Sequence, residues 1–480
     1  MELTNFLGGL WVPPYFTAQA PNNALITADN IEYGHTGAVQ GRRGRTLYGT
    51  LPAKAISLWR HYPRTGSPAT LAAVDNGASV ELRHDTASNG TFATVTGGAG
   101  LATGKRLFFT NWGSKDRSFF ANGVGLYSYN GVITNVVQTG PQITGPYVVV
   151  HQSRLFGTKA DEINYSVYAT DVNDELTVNA ANQLNVSDPQ GGSITGLASL
   201  PDRLLILKNT SLWVMLGDIK FSAILTKLTE TGCVAPLSIA QAPYGVFFVG
   251  RSGVYLTDGQ RPEPIDLSGP IRSLFTPPTT NVSYPNAVGI YYARKDMYKV
   301  KLDPAHGYTY CLQRIQVPGA RGVVWAWSRN TNEPLVSGNV WDSEGDTGDP
   351  YVSDSGGNVY RADSGATDAG VAYASVVQPV SLRLSDELSV GHVHYVHLLY
   401  RGSGAATVGL RYNNAAADDL TLSLGQAQAI GLQRTRKMVT DKSKSGQFVS
   451  PVITLPGDGP GAELYSLKLD ARVRSRRVWR

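Results

Sequence analysis

The sequence predicts an all-β protein: a β-propeller of six or seven blades, followed by a β-sandwich, with an extended N-terminal arm. The first observation behind this is a recurring hairpin-like unit, an apolar run, a polar or glycine turn, and a second apolar run with an aromatic residue. Clear copies span residues 118–127, 246–255 and 350–360, and looser copies begin at 71, 155, 204 and 290. The turns fall near Asn76, Asn122, Lys159, Asn209, Ser252, Asp296 and Ser355, at successive spacings of 46, 37, 50, 43, 44 and 59 residues. A period of roughly 40–50 residues with short strands is typical of four-stranded propeller blades.

The second observation is composition. The 480 residues include 52 Gly and 26 Pro, which destabilise helix interiors, and 24 Tyr, which suit half-buried strands. Charged residues make up only 16% of the chain, against roughly 25% in a typical globular domain. This sparse charge indicates either a surface covered by partner subunits or a neutral monomer rich in Ser, Thr and Asn.

Three regions follow in order. Residues 1–45 show little strand pattern, and their paired prolines favour an extended arm that lies along its own domain or a neighbour. Residues 46–365 carry the hairpin repeats of the propeller. Residues 366–480 hold longer alternating runs, at 376–384, 392–400, 407–412, 448–455 and 464–473, which predict an antiparallel β-sandwich with a basic C-terminal tail.

The formal net charge of +5 is too small to indicate nucleic-acid binding by itself. The cations are clustered, however, at the arm–propeller boundary, at 434–437 and in the C-terminal tail. Each cluster suits contact with phosphate, contact with an acidic neighbour, or a solvated strand face. Alternation of Arg472, Arg474 and Arg476 would place three cations on one face of a strand.

The search for catalytic chemistry is negative. The loop at 97–106 lacks the first glycine and the Ser or Thr of a phosphate-binding loop, and is interpreted as a hairpin loop. His392 and His394 share a strand face without a third ligand, while His397 faces the other way, so a metal site is not predicted. The acidic run at 342–349 departs from the pattern of a calcium-binding loop and is interpreted as an exposed turn.

Other sequence signals limit the alternatives further. Residues 353–356 match only part of the aspartate box of sialidases, and Cys233 and Cys311 lie too far apart in sequence for a metal knuckle. The N-terminus shows no signal-peptide pattern, and no apolar stretch approaches a membrane span. We therefore expect a protein that is not an enzyme and has no metal or cofactor.

Several segments resemble tail hub or nozzle proteins of short-tailed bacteriophages, the group that includes packaged-DNA stabilisation and tail tubular B proteins. Residues 21–33 and 37–44, with an Arg-x-Gly turn at Arg42 to Gly44, are similar to the start of those proteins. Residues 151–156 and 164–166 resemble their blade strands. Residues 377–382, 393–400 and 408–412 resemble the β-sandwich that follows their propeller.

The resemblance implies a structural virion protein. It would form a ring, typically of six copies, below the portal and adaptor, continue the DNA channel, retain the packaged genome and permit its ejection. Its partners would be further copies of itself, the head-to-tail adaptor, tail fibre or spike proteins, and double-stranded DNA in the lumen. It would belong to the virion tail, assembled in the host cytoplasm. Contacts with DNA or adaptor would come from the basic clusters: Arg42, Arg43, Arg45, Arg472, Arg474, Arg476, Arg477 and Arg480.

The alternative class is a propeller-type tail protein that binds or degrades glycans. A pair of carboxylates in the central funnel of the propeller would favour glycan hydrolysis.

Overall fold

The computed structural model describes residues 2–12, 20–188, 190–276, 282–303, 307–318, 322–341, 348–385, 389–402, 404–413, 415, 417–427, 433–441, 443–455 and 462–475. Within these ranges the chain is almost entirely β-structure, so the all-β prediction is confirmed. Its helices are single turns, at Gly113–Lys115, Ala160–Glu162, Pro236–Ser238, Gly269–Ile271, Arg272–Phe275 and Ala293–Lys295. None of the described helices has the length and apolar character needed to cross a membrane.

Seven antiparallel blades of four strands form the propeller in the described part of the chain. In chain order, with the innermost strand first, their strands are as follows: blade 1, Lys54–His61, Ala69–Asp75, Val80–Asp85 and Ala93–Thr94; blade 2, Phe108–Trp112, Arg117–Ala121, Leu126–Tyr129 and Ile133–Asn135; blade 3, Val148–His151, Arg154–Thr158, Ser166–Thr170 and Val178–Asn185; blade 4, Ile194–Leu200, Arg203–Lys208, Leu212–Leu216 and Ile224–Thr229; blade 5, Ala240–Ala242, Gly245–Val249, Val254–Thr257 and Ile265–Asp266; blade 6, Val288–Tyr292, Met297–Lys301, Tyr308–Gln316 and Val323–Thr331; blade 7, Ser337–Val340, Pro350–Ser353, Asn358–Ala362 and Arg45–Thr50.

Each hairpin repeat of the sequence falls in one blade. In six blades the repeat joins the second and third strands, whereas in blade 6 it joins the first and second strands, with its turn at Asp296. That offset explains the long spacing of 59 residues before the next turn. Asp296 has a φ of 48°, a left-handed conformation that Asp tolerates better than most residues, which suits the tight turn.

Blade 7 closes the ring, because its outermost strand comes from the other end of the propeller sequence. Arg45–Thr50 pairs antiparallel with Asn358–Ala362. The chain enters and leaves the propeller side by side: the Gly44 N–H donates to the Gly365 carbonyl at 3.0 Å, and Ser364 N–H donates to the Gly44 carbonyl at 3.0 Å. A Cβ at Gly44 would lie 2.0 Å from the Thr367 carbonyl oxygen, so only glycine permits this approach.

The sandwich has two sheets. Sheet I continues outward from the last strand of blade 6, in the order Leu25–Asp29, Ser375–Pro379, Phe448–Leu455, Gly404–Tyr412 and Leu420–Ala427, with Leu382–Arg383 beside Phe448–Leu455. Sheet II runs in the order Ile31–Tyr33, Val39–Gly41, Glu463–Ser475, Ser389–Arg401 and Gln433–Met438, with Glu2–Leu3 beside Glu463–Ser475.

The N-terminal arm lies on its own chain and supplies strands to both sheets of the sandwich. The expectation of little strand structure in residues 1–45 is therefore corrected, as is the expectation that residues 366–480 alone build the sandwich. Leu25–Asp29 pairs parallel with blade 6 on one side, through Asp29 and Arg329, and antiparallel with Ser375–Pro379 on the other. One ten-stranded sheet consequently crosses from propeller to sandwich.

The apolar cores follow this architecture. Separate clusters lie between neighbouring blades, for example Leu71 and Phe120 between blades 1 and 2. The largest cluster has no boundary at the domain junction: it joins Phe247 of blade 5 and Tyr298 of blade 6 to Leu25 of the arm and Val396 of the sandwich. Unfolding the sandwich would therefore expose apolar surface of the propeller as well.

Polar contacts at the junction converge on Arg42 and Asn30. The buried Arg42 guanidinium binds both carboxylate oxygens of Asp368, Nη1 to Oδ1 at 2.9 Å and Nη2 to Oδ2 at 2.7 Å. Arg42 Nε donates to Asn30 Oδ1 at 3.0 Å, and the guanidinium lies 4.0 Å from the ring centre of Tyr373. Asn30 Nδ2 in turn donates to Thr331 Oγ1 of blade 6 at 2.8 Å. Arm, propeller and the linker to the sandwich thus share one network.

The first prediction concerns Arg42 and Asp368. Asp368→Asn leaves a buried guanidinium without its carboxylate, so we expect the free energy of unfolding to fall by about 3–5 kcal/mol. Chemical denaturation followed by tryptophan fluorescence measures it. The control is Asp161→Asn, which removes a largely exposed carboxylate paired with Lys159 and should change little. Equal stability of the two variants would contradict the role given to the buried pair.

The second prediction concerns Glu333, whose Oε1 accepts a hydrogen bond from Lys299 Nζ at 2.8 Å inside the fold. Burial alone would raise the pKa of Glu333, but the Lys299 and Arg42 charges and the hydrogen bonds from Lys299 and Asn330 lower it to about 2. A carboxyl whose folded pKa is depressed stabilises the protein above its unfolded pKa and loses that contribution as pH falls through its folded pKa.

We therefore expect the wild type to lose more unfolding free energy than Glu333→Gln between about pH 5 and pH 2. The control is Glu230→Gln, which changes an exposed carboxylate paired with Lys227. Its unfolding free energy should depend on pH as that of the wild type does. Parallel pH profiles for the wild type and Glu333→Gln would refute the assignment.

Candidate functional site

A cavity of about 410 Å³ lies on the axis of the propeller. All seven innermost strands, or the residues just before them, contribute to its wall, including Trp59, Phe109, Leu197, Ile290 and Asn339. The lining positions lie mainly in the first halves of those strands, so the cavity occupies the end of the axis at which the strands begin. It is too small for a DNA duplex, of which the major groove alone is about 12 Å wide.

Arg106 is the one cation among the described residues of the cavity wall. It precedes the innermost strand of blade 2, and its Nη1 reaches two backbone carbonyls, Ile56 O of blade 1 at 2.8 Å and Val336 O beside blade 7 at 3.1 Å. Burial lowers the pKa of this guanidinium, with no charged partner to oppose the shift. Its Nε and Nη2 groups donate to no acceptor in the described part of the chain.

Aliphatic side chains such as Ile56 and Leu197 form the largest part of the remaining wall, and aromatic and neutral polar side chains form most of the rest. Trp59 stacks on Phe109 with ring centres 5.8 Å apart and planes 11° from parallel, and Phe108 meets Tyr147 edge-on at 4.8 Å. Gln241 and Asn339 add amide groups. Asp and Glu are absent from the described residues that line the cavity. The paired carboxylates that hydrolysis of a glycosidic bond commonly requires are therefore not found in this wall.

A second feature is the outer face of sheet II, here called the basic face, defined by Arg434, Arg436, Lys468 and Arg472. Strand register brings them together: Arg436 lies opposite His397, His397 lies opposite Lys468, and Arg472 lies opposite His392. Their side chains are exposed, while the alternating residues Val396, Leu398 and Tyr400 face the core. Arg434 lies in the row next to Arg436 and Lys468, and Arg472 lies two rows beyond Lys468 on the same sheet surface.

Few carboxylates neutralise this face. Asp470 accepts a hydrogen bond from His397 at 2.9 Å, which is the main cause of its lowered pKa, and lies 3.7 Å from Lys468. Arg436 lies 3.6 Å from the ring centre of Tyr395, a cation–π contact that holds the guanidinium against the sheet. Arg434 and Arg472 have no ion-pair partner among the described residues, so the face retains a positive field.

The basic residues predicted from the sequence fall into two groups: some hold the junction between the domains together, and others are exposed. Arg42 is buried in its pair with Asp368, and Arg45 contacts Asp368 at 3.3 Å and the Asn332 carbonyl at 3.0 Å, so both serve the junction. Arg43 is exposed beside them. Arg472 and Arg474 belong to one strand, Glu463–Ser475, but the Arg474 side chain and Arg476, Arg477 and Arg480 lie outside the described residues.

Two other expectations can be compared with the structure. The loop at 97–106 connects the outer strand of blade 1 to the inner strand of blade 2, so its interpretation as a hairpin loop is wrong. The expectation that His397 faces away from His392 is wrong, because a register shift between Val393 and Tyr395 places both on the outer face of sheet II. The ring centres of His392 and His394 lie 6.3 Å apart, but the described residues hold no group of three or more His, Cys, Asp or Glu side chains placed for a metal. Most of the acidic run 342–349 lies outside the described residues.

Sequence reasoning missed the cavity wall and the strand Gln433–Met438. One signal for the wall is present in the sequence, since the loop that ends at Arg106 partly resembles a phosphate-binding loop but lacks its first glycine, its Ser or Thr and a following helix pattern. The strand was hidden by its composition, because the run Arg434 to Lys437 is polar at almost every position.

Comparisons with known proteins concern the fold. No family model matches the chain, and no curated protein matches its sequence. Among solved structures, the Pan2 WD40 domain of Neurospora crassa is 11% identical, covering 66% of this chain and 95% of its own, with a TM-score of 0.41. Kluyveromyces lactis Hsv2 is 9% identical, covering 56% and 84%, with a TM-score of 0.34. A glycoside hydrolase family 43 arabinoxylan arabinofuranohydrolase from Bacillus subtilis is 9% identical, covering 89% and 99%, with a TM-score of 0.25.

Proposed function

We propose that the protein is a structural component of a short-tailed bacteriophage tail, a ring-shaped hub or nozzle below the portal and adaptor that retains the packaged genome and permits its ejection. The observation that carries this proposal is where the resembling residues lie. Asn30, Arg42 and Gly44 belong to the segment that is similar to the start of nozzle proteins, and they are the residues that join arm, propeller and sandwich.

The architecture supports a wall element of such a ring. A closed propeller leaves only short strand edges, and the ten-stranded sheet leaves no separate hinge between propeller and sandwich. A closed ring also needs two different surfaces on each copy that fit each other. Exposed apolar side chains such as Phe221 (81% exposed) and Ile224 (61%) on blade 4, and Val137 (66%) after blade 2, are candidates for those surfaces.

Because the propeller cavity is too small for a duplex, we propose that the DNA path lies in the space between subunits. In such a ring the basic face is the surface that we propose for contact with adaptor carboxylates or with phosphates of the DNA. Of these we favour the adaptor, because four cations suit a defined acidic patch, whereas retention followed by release of DNA calls for weak phosphate contact. Both contacts would weaken with added salt, so salt dependence does not distinguish them.

The alternative is a glycan-binding or glycan-degrading tail protein. The cavity favours binding over degradation, since its described wall offers aromatic rings and one cation but no carboxylate.

The third prediction is tested by assembling virions without this protein. We expect heads that attach an adaptor, lack the distal tail and leak their genome, with wild-type protein restoring intact, infectious particles. Electron microscopy and protection of packaged DNA from nuclease are the measurements. Particles that keep their genome and tail but fail to adsorb to host glycans would contradict the structural role and support the alternative.

The same assay tests whether the basic face contacts the adaptor or the DNA. Complementation with Arg434, Arg436 and Arg472 all changed to Ser should give tails that fail to attach if the face contacts the adaptor, and attached tails that leak DNA if it contacts the genome. A matched triple, Arg64, Lys105 and Arg251 changed to Ser, removes the same charge from scattered exposed positions and should complement fully. Normal particles from the basic-face variant would exclude both contacts.

A further inference from the structure

We propose that the central cavity of the propeller binds a small molecule with one carboxylate on a hydroxylated ring, the chemistry of a uronic acid. This inference rests on the cavity wall of a single chain and does not depend on ring assembly or on a place in a virion.

The charge of Arg106 is the first argument. Arg106 is half-buried, and partial withdrawal of a cation from water is costly unless an anion or hydrogen bonds compensate it; among the described residues only Nη1 has acceptors, the Ile56 and Val336 carbonyls. The pKa of this guanidinium is lowered by burial alone, and carboxylates are absent from the described wall. A bound anion would supply the missing charge.

The free edge of the guanidinium defines the geometry of that anion. With Nη1 occupied, Nε–H and Nη2–H remain as a parallel pair of donors on one side of a planar group. Two parallel N–H donors match the two oxygens of a carboxylate. One unpaired cation calls for one negative charge, so a monocarboxylate fits better than a dianion.

The remainder of the wall suits a ring that is apolar on its faces and polar at its rim. Trp59, Phe109 and Tyr291 present partly exposed aromatic surface to the cavity. Such surfaces pack against the C–H faces of a ring. The Asn339 amide uses its oxygen to accept from the Val340 N–H at 2.8 Å, which leaves its NH₂ to donate, and Gln241 carries an exposed amide. Amides both donate to and accept from hydroxyl groups.

The volume of the cavity limits the size of the ligand that it can hold. A volume of about 410 Å³ is near the lower end of the roughly 300–1,000 Å³ range of small-molecule pockets. One sugar ring fits this space, whereas the interior of an extended polysaccharide requires a longer groove. The occupant is therefore a free acid or the terminal residue of an acidic glycan.

The fourth prediction is tested by calorimetry and by ligand-observed NMR with the full chain. Glucuronate should bind saturably, and glucose, which lacks the carboxylate, should bind at least roughly tenfold more weakly because a hydrogen bond to a charged group is lost. Arg106→Gln should weaken glucuronate binding roughly 10- to 100-fold and leave glucose binding unchanged. Lys105→Gln removes an exposed charge one residue away and should alter glucuronate binding by less than about twofold.

Arg106 also links three blades, so the melting temperature of each variant is measured alongside. The comparison of glucuronate with glucose on the wild-type chain needs no variant, and decides the proposal even if Arg106→Gln does not fold. Absence of saturable glucuronate binding, equal affinity for glucose, or equal losses in Arg106→Gln and Lys105→Gln would each overturn it.

Discussion

The buried pair of Arg42 with Asp368 is the interaction on which the rest of the structure depends. It lies where the arm passes between the two domains, and it links the last arm strand, the blade 6 edge through Asn30, and the linker that leads into the sandwich. Residues 42–44 connect the arm strand that ends at Gly41 to Arg45–Thr50, the outermost strand of blade 7. Correct placement of Arg42 therefore also places the strand that closes the propeller.

A fused body of this kind constrains function. Because sheet I continues the strands of blade 6, a force on the sandwich is transmitted to the propeller through backbone hydrogen bonds, without a flexible connection. Such a block is consistent with the wall of an assembly, the role that we propose. The two polar features differ in place and chemistry: the basic face is an exposed sheet surface with several cations, whereas Arg106 is a single half-buried cation in the wall of the propeller cavity.

The sequence predicted the blades well and the junction poorly, for physical reasons. Each hairpin of a blade is local, since its two strands and turn lie within about ten residues, and its pattern is visible in one stretch of chain. The strands of the arm have two to five residues each. Ile31–Tyr33 and Val39–Gly41 form a local hairpin, but Leu25–Asp29 pairs with residues hundreds of positions away, such as Arg329 and Val377. Local pattern cannot show such pairing.

The charge of a side chain did not by itself show whether the residue is buried in the fold or exposed. Arg42 and Arg43 are adjacent and chemically alike, yet one is buried against Asp368 and the other is exposed, and nothing in the local sequence separates them. The place of Arg106 in the cavity wall is set by the Ile56 and Val336 carbonyls, which lie far from it in sequence and are brought to it only by the closed propeller.

Hydrogen–deuterium exchange of the native chain, followed by mass spectrometry of its peptides, tests most directly whether the arm unites the two domains. If it does, amides in Leu25–Asp29 and Arg45–Thr50 will exchange as slowly as those in the last strand of blade 6 and in sheet I, and all will be released together as denaturant is added. Rapid exchange of the arm strands, while the blades and the sandwich stay protected, would contradict the account.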